Sequence, residues 1–166
     1  MINDPVTGFI YPDSWVNRCP SPELLEDVRR GLAVLTASGK VLKRGYSTGT
    51  TAAAACAAAV LSLGGEVQNV SLVIPCGLTL SIPVVGKNGE ASCIKFAGDY
   101  GDDVTAGVEI LATAAPISKG ITLRTGIGIG RYTRTTLRFK KGDPAISKSA
   151  IQCIRQALYA AIRNKG

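Results

Sequence analysis

Runs of apolar side chains at helical spacing, and one run of alanines, predict three helices. The first is expected to start at Pro22 and end at Gly39. Its apolar positions are Leu24, Leu25, Val28, Leu32 and Leu35. Alanine fills seven of the eight positions from Ala52 to Ala59, and its helix propensity and small side chain predict a helix packed close against its neighbours. The third helix is expected over residues 150–162.

Alternating apolar and polar positions predict about five strands. They are expected at residues 67–74, 78–85, 91–96, 108–115 and 121–125. The pair Asn88-Gly89 predicts a hairpin turn between the second and third strands, and residues 118–120 predict another between the last two. Pro83 lacks a backbone N–H, so it places its strand at a sheet edge or near the strand end.

Together these elements predict an α+β layer of three helices and about five strands. A length of 166 residues suits one domain with a substantial core. We therefore expect a single domain over residues 1–166, in which residues 1–43 form an arm and helix packed on a core of residues 44–166.

The net charge of +7 is concentrated at one end of the chain. Residues 1–116 hold 8 basic and 11 acidic side chains, whereas residues 117–166 hold 11 basic side chains and one acidic one. This asymmetry suits an anionic partner, which could be nucleic acid, a polycarboxylate ligand or an acidic protein surface, although solubility alone is an alternative. Aromatic residues are only 5% of the chain, which disfavours nucleic acid because stacking platforms are scarce.

Composition excludes several kinds of site. The chain has no histidine, so histidine acid–base catalysis and histidine metal ligation are ruled out. Its five cysteines are widely spaced and odd in number, which favours reduced core thiols in a cytoplasmic protein. The sequence shows no membrane-spanning run and no recognisable signal peptide.

Small hydroxyl residues and glycine precede the alanine run. Ser47, Thr48, Gly49, Thr50 and Thr51 lie where the first N–H groups of the helix are expected to be unpaired. A carboxylate or phosphate would fit there, at the positive end of the helix dipole. The alternative is a capped structural helix, and the residues by themselves leave both open.

A second candidate is the loop of residues 98–107, where Asp99, Asp102 and Asp103 cluster. Close carboxylates raise one another's pKa, bind a hard cation or accept hydrogen bonds from a ligand. The alternative is a polar turn, because Asp and Gly are common turn residues.

A third candidate is the glycine-rich segment of Gly126, Gly128 and Gly130. A nucleotide or S-adenosylmethionine site of Rossmann type needs a helix directly after the glycines, but the next residues favour a strand or loop. We therefore expect the glycines to let the backbone approach a flat ligand, while Arg131 and Arg134 pair with its carboxylates.

Six short motifs resemble the cobalt-precorrin-5B C-1 methyltransferase family of anaerobic cobalamin biosynthesis. The sequence RGYSTGTTAAA at residues 44–54 resembles the family's GYTTGT signature and its alanines. The other matches, in the same order and spacing, are IPCG at 74–77, KFAGD at 95–99, DVTAG at 103–107, GIGIGRYT at 126–133 and DPAI at 143–146.

The resemblance implies methyl transfer from S-adenosylmethionine to ring carbon 1 of a polycarboxylate cobalt corrinoid. It also implies a two-layer βα sandwich similar to the second domain of the GHMP kinases, and no metal bound by protein side chains. Asp99 and Asp103 would be catalytic, orienting the substrate or assisting proton movement. The substrate-binding set would be Ser47, Thr48, Gly49, Thr50, Thr51, Thr105, Gly126, Gly128, Gly130, Arg131 and Arg134.

The chain departs from the family in two ways. Ala106 stands where family members usually carry His or Asn, so a polar side chain is missing. The chain is also about half the family's length, which implies a second domain or a homo-oligomer partner. A non-catalytic corrinoid- or tetrapyrrole-binding module is therefore the alternative function, and a basic nucleic-acid-binding domain is a weaker one.

Overall fold

The computed structural model describes residues 1–163, and its first 43 residues form a small unit of their own elements. These are β1 (Ile2–Asn3), β2 (Ile10–Tyr11), α1 (Asp13–Val16), α2 (Pro22–Arg29), β3 (Ala33–Leu35) and β4 (Val41–Lys43). Strand β1 pairs with β2, and β3 pairs with β4, both antiparallel. They enclose a cluster built from Ile2, Tyr11, Leu25, Val28, Ala33 and Leu35.

The first helix is shorter than its apolar spacing predicts. Helix α2 ends at Arg29, and residues 33–35 form a strand instead. Gly31 has a φ of +74°, and a Cβ there would lie 2.8 Å from the Pro5 side chain, so the chain turns at this glycine. Leu35 still reaches the cluster, but from β3, because spacing alone cannot distinguish one helix from a helix followed by a strand.

The rest of the described chain builds a four-stranded antiparallel sheet, one helix packed on that sheet and a second helix packed on the first. Its elements are α3 (Thr48–Ser62), β5 (Val67–Val73), β6 (Thr79–Lys87), β7 (Glu90–Ile94), β8 (Glu109–Thr113) and α4 (Lys148–Arg163). The sheet order is β5-β6-β7-β8. This mixture of helices and antiparallel sheets agrees with the α+β expectation, although residues 1–163 contain four helices and eight strands.

Helix α3 lies between the sheet and α4 and forms the centre of the main core. Six of its alanines are at most 2% exposed. Buried side chains of the sheet, such as Val70, Ile82 and Cys93, pack against it. The alanine run is therefore buried, as predicted, because only small side chains let a helix contact a sheet and a second helix at once.

Two details of the predicted strands are wrong. Pro83 lies in β6, an interior strand, opposite Asn69 of β5. It is tolerated because β7 pairs only with the later part of β6, from Val85 onward. Residues 121–125 form no strand, so β8 pairs with β7 alone within the described range. The predicted turn at Asn88-Gly89 is confirmed, with positive φ at both residues.

Helix α4 confirms the third predicted helix, and it runs beside α3. Its buried side chains, among them Ile154 and Leu158, belong to the main core. Within residues 1–163 we find no helix with the length and apolar character needed to traverse a bilayer.

Candidate functional site

The start of α3 is a capped helix turn. Ser47 is the N-cap, and its Oγ accepts a hydrogen bond from the Thr50 N–H at 3.1 Å. The Thr51 hydroxyl donates to the Ser47 carbonyl at 3.0 Å. Thr50 and Thr51 are buried, whereas Ser47 and Thr48 are exposed. Ser47 and Thr48 are thus the exposed members of the predicted hydroxyl set.

A second helix begins directly beside this turn. Ser147 caps α4 by accepting a hydrogen bond from the Ala150 N–H at 3.1 Å. The two helix starts touch, since a Cβ on Gly49 would lie 2.8 Å from the Ala150 Cβ. The positive ends of two helix dipoles therefore lie close together, and this favours an anion nearby.

A cavity of about 480 Å³, which we call the helix-start cavity, opens where these two helices begin. Its walls include Thr48 and Thr50 of α3, Ser147 before α4, and Gly128 and Gly130 of the glycine-rich segment. The tertiary structure thus brings together two of the three sequence candidates, which are remote from each other in the chain.

The rest of the glycine-rich segment lies differently from the prediction. Gly126 does not line the helix-start cavity. The Arg131 guanidinium donates to the Gly142 carbonyl at 2.8 Å, so it holds its own loop together. Arg134 is exposed and likewise lies outside the cavity lining. The described structure therefore does not place either arginine in that cavity.

Glycine at two of these positions is not explained by the protein's own packing. A Cβ on Gly126 would meet nothing within 4 Å, and a Cβ on Gly130 would meet only Ala145, at an ordinary 3.7 Å. Neither residue has a positive φ. A close-lying ligand would require glycine there, whereas the fold does not.

The two predicted catalytic carboxylates have different hydrogen-bond partners. Asp99 Oδ2 accepts the Lys43 N–H at 2.7 Å, and the Asp99 N–H donates to the Lys43 carbonyl at 3.0 Å. Asp99 thus fastens the loop to β4. Asp103 instead accepts the Lys95 ammonium at 2.5 Å, and the Thr105 N–H and hydroxyl at 2.9 and 2.6 Å.

These contacts lower the pKa of the Asp103 carboxyl, which is the opposite of the effect of a neighbouring carboxylate. The Lys95 ammonium and the two Thr105 donors lower the pKa of the Asp103 carboxyl to about 2. Mutual repulsion between carboxylates would have raised the pKa of one of them. Asp103 is therefore ionised over the whole physiological pH range and acts as a fixed hydrogen-bond acceptor.

A cleft of about 480 Å³, the acidic-loop cleft, lies between the start of α3 and the loop of residues 98–107. Its walls include Ser47, Thr48, Tyr100, Asp103 and Thr105, and also Arg44, Tyr46 and Lys95. The segment before α3 can lie against residues 96–97 because position 45 is glycine, where a Cβ would be 2.3 Å from the Ala97 carbonyl carbon. This contact brings the Ser/Thr turn and the Asp loop to one cleft.

A third and larger cavity, of about 680 Å³, lies between the N-terminal unit and the sheet. We call it the apolar cavity, because side chains such as Leu78, Leu80, Pro83, Ile94 and Phe96 supply much of its wall. It shares Arg44, Gly45, Tyr46 and Lys95 with the acidic-loop cleft. None of its residues belongs to the site predicted from sequence.

The family model described as CbiD matches residues 35–166. The chain belongs to the CbiD family. A cobalt-precorrin-5B C(1)-methyltransferase of Methanoregula boonei is 53% identical over 99% of this CbiD-family chain and 49% of its own length. A protein of the same name from Methanoculleus marisnigri is 55% identical over 97% of this chain and 48% of its own length. The chain spans about half the length of these curated relatives.

A solved structure of a similar protein has the same fold. The 1.9 Å crystal structure of a cobalamin biosynthesis protein (CbiD) from Archaeoglobus fulgidus superposes with a TM-score of 0.80 at 35% sequence identity. The match covers 99% of this chain and 53% of the other. The fold described here is thus the fold of about half of a larger CbiD protein.

The candidate site of this CbiD-family chain also includes Lys95, Tyr46, Tyr100 and Ser147, which were not predicted from the sequence. Ser147 carried a usable signal, since a serine just before a periodic helix is a common N-cap. Lys95 carried little, because one lysine after an apolar strand is usually exposed. Ala106 is exposed, and its N–H donates to the Asp103 carbonyl at 2.9 Å, so it belongs to the same turn as Asp103.

Proposed function

We propose that this chain is a substrate-binding part of an S-adenosylmethionine-dependent methyltransferase that acts on cobalt-precorrin-5B at ring carbon 1. One observation carries the proposal. Two serine-capped helices start side by side at a cavity lined by Gly128 and Gly130, in a chain more than half identical to proteins of that name. The substrate is a corrinoid with several carboxylate arms, and helix starts suit carboxylates.

The Ser/Thr turn is proposed to bind one or more of these carboxylates. Exposed Ser47 and Thr48 would donate hydroxyl hydrogen bonds, and the N–H groups at the start of α3 would complete the contact. Gly49, Thr50 and Thr51 would contribute through the backbone and by shaping the turn. Arg131 and Arg134 are proposed to clamp further arms from the exposed loop beside the helix-start cavity.

The acidic loop is proposed to orient the ring. Asp103, already bonded to Lys95 and Thr105, would accept a hydrogen bond from the substrate without changing its protonation state. Asp99 would hold the loop in position through β4. Methyl transfer depends mainly on alignment of donor and acceptor carbons, so this positioning role suits the reaction better than proton transfer does.

The methyl donor implied for this activity is S-adenosylmethionine, which supplies an electrophilic methyl group. The residues that would hold it are Gly126, Gly128 and Gly130, whose surroundings leave room for a flat group. The absence of a helix directly after the glycines argues against a Rossmann-type arrangement.

The finer description of the fold is also a proposal. An antiparallel sheet with a helix packed on it, and a serine-containing turn before a buried helix, support a two-layer βα sandwich like the second domain of the GHMP kinases. We further propose that residues 1–166 fold as one domain. A second domain or a second copy of the chain would close the open side of the site, since pockets between domains enclose ligands well.

The experiment that tests the function is a titration of the chain with a heptacarboxylate corrinoid (cobyrinic acid) and, separately, with duplex DNA. We expect saturation with one macrocycle per chain and an affinity that decreases with salt. Replacement of Arg134 by Ala should weaken corrinoid binding by about 1–3 kcal/mol, as for a lost hydrogen bond to a charged group. Tight DNA binding without a corrinoid response would overturn the proposal.

A non-catalytic corrinoid-binding module is the second candidate function. It is favoured by the hydrogen bonds that hold Asp103 as an ionised acceptor, which suit ligand binding better than proton transfer. Both candidates predict corrinoid binding, so only methyl transfer distinguishes them.

A further inference from the structure

Lys95 is the most deeply buried cationic side chain among the ion pairs of residues 1–163, with 4% of its side chain exposed. It follows the last residue of β7, and its backbone is fixed by the Lys95 N–H to Val108 carbonyl bond at 2.9 Å. The ammonium donates one hydrogen bond, to Asp103 Oδ2 at 2.5 Å. Since an ammonium has three donors, two remain available.

The carboxylate of Asp103 accepts only one of the three ammonium donors. Its other oxygen, Oδ1, already accepts both the Thr105 N–H and the Thr105 hydroxyl. Asp103 therefore fixes the position of the Lys95 ammonium but pairs with only one of its three N–H donors. A buried charge with unused donors is costly unless another acceptor completes its shell.

The position of Lys95 shows where such an acceptor would come from. Lys95 lies in the walls of both the apolar cavity and the acidic-loop cleft. Arg44 lies in both walls too, but its guanidinium bonds Asp4 and the Gly31 carbonyl of the N-terminal unit. Among the residues shared by the two cavities, Lys95 is thus the cation whose charged group bonds within the acidic-loop cleft, at Asp103, rather than to the N-terminal unit.

The neighbouring cavity favours a particular kind of ligand. Its volume of about 680 Å³ is that of a small-molecule site. Leu80, Ile94 and Phe96 give it an apolar wall near Lys95. A ligand with an apolar body and a carboxylate would bury its apolar body in the apolar cavity. Its carboxylate would then bind the Lys95 ammonium.

We propose that Lys95 is a ligand-binding residue that receives a carboxylate of a ligand whose apolar edge occupies the apolar cavity. The apolar cavity and the acidic-loop cleft are then one continuous site, joined at Lys95. This inference rests on the proposed function: the carboxylate is an acetate or propionate arm of the corrinoid, and the apolar edge is the rim of its ring.

The test compares two corrinoids and two double variants of the whole chain. The probes are cobyrinic acid, in its diamagnetic dicyano form, and its heptamethyl ester, which lacks the carboxylates. The variant K95M/D103N removes the pair without leaving a lone buried charge. The matched control is K87M/E66Q, which removes an exposed lysine–glutamate pair at 2.7 Å and alters the charge in the same way.

We expect K95M/D103N to bind the acid about tenfold more weakly or worse, as for a lost hydrogen bond to a charged group, and to bind the ester as the unmodified chain does. The control should change either affinity by less than about twofold, since surface pairs contribute little. If the acid binds the unmodified chain but the two double variants bind it equally well, the role of Lys95 is overturned and the proposed function stands. If the unmodified chain binds neither probe, the proposed function itself is overturned.

A measurement on the unmodified chain covers the case in which K95M/D103N does not fold. Burial slows proton exchange of the Lys95 ammonium, so its resonance can be followed by lysine-selective NMR and assigned with K95R. We expect this resonance to shift as cobyrinic acid saturates the chain and to stay unchanged with the ester. Saturable binding of the acid without that shift would overturn the proposal.

Discussion

At the scale of single residues, two lysine–carboxylate pairs that look alike in sequence have different surroundings. Lys87 and Glu66 meet on the surface, with side chains 66% and 65% exposed, whereas Lys95 is almost completely buried beside Asp103. Solvent screens the first pair, so it contributes little to stability. The second pair keeps Asp103 ionised in the wall of the acidic-loop cleft.

Asp103 should make the stability of the fold depend on acid pH. Its pKa is about 2 in the folded chain, against an ordinary value of 3.8. A lowered carboxyl pKa stabilises the fold above the unfolded pKa, and this stabilisation is lost as pH falls through about 4 towards 2. We expect Asp103→Asn to flatten the pH dependence of the unfolding free energy in that window, measured by urea denaturation. Glu66→Gln is the control, and identical profiles for the two variants would contradict the assignment.

The rate at which each thiol reacts should decrease as its burial increases. Burial raises the pKa of Cys56 to about 11 and also raises the pKa of Cys93 and Cys153, and only the thiolate is nucleophilic. Cys76 is exposed in the turn between β5 and β6. With a disulfide reagent at pH 8, we expect the fast phase to belong to Cys76 and to disappear in Cys76→Ser. A fast phase that persists in this variant would show that another thiol is accessible.

At the scale of elements, the fold depends on how closely α3 approaches its neighbours. The start of α3 touches the start of α4 at Gly49 and Ala150, and its middle lies on the sheet. Small side chains along α3 make both contacts possible at once. The same closeness brings the N-terminal N–H groups of two helices to one cavity, so the packing of α3 also builds the site.

Enlarging a buried alanine of α3 should therefore destabilise the chain. Ala54 is 0% exposed, and overpacking a core by several methylene groups costs about 1–3 kcal/mol. We expect Ala54→Leu to lower the unfolding free energy by this amount in urea denaturation. Ala160→Leu is the matched control, because Ala160 is an exposed position of α4 and a surface change there should stay within about 0.5 kcal/mol. Equal effects of the two changes would contradict the packing described here.

At the scale of the whole molecule, the chain presents open cavities at the borders of its main core. The helix-start cavity and the acidic-loop cleft both touch the start of α3, and the apolar cavity adjoins the cleft. Relatives of this chain are about twice as long. A transfer reaction must hold two ligands with their reacting atoms in line, and a wall from a second domain would enclose both.

We therefore expect the 166-residue chain to bind the corrinoid but to methylate it slowly or not at all. The measurement is label transfer from methyl-labelled S-adenosylmethionine to cobalt-precorrin-5B, with a longer relative such as the Methanoregula boonei protein as the positive control. Multiple turnovers by the chain alone, on the order of one per second or faster, would show that half of the architecture suffices. They would also exclude a purely non-catalytic module.

The sequence by itself determined the features that depend on near neighbours in the chain. The alanine run made α3 a helix, periodic apolar residues made α4, and Asn88-Gly89 made the hairpin turn. The motifs also sufficed to identify the family, because residue types at fixed spacing are read directly. Such features follow from local backbone preferences and side-chain periodicity, which a linear pattern contains.

Only the tertiary structure decided what depends on contacts between distant residues. The apolar spacing after Pro22 fitted one long helix, but α2 ends at Arg29 and the chain turns at Gly31, where a Cβ would lie 2.8 Å from the Pro5 side chain. Lys95 became a buried partner of Asp103 because the chain after β7 folds back at residues 103–107. The helix-start cavity exists because α4 returns to the start of α3. Such contacts balance burial against chain entropy over the whole fold, and no local pattern records that balance.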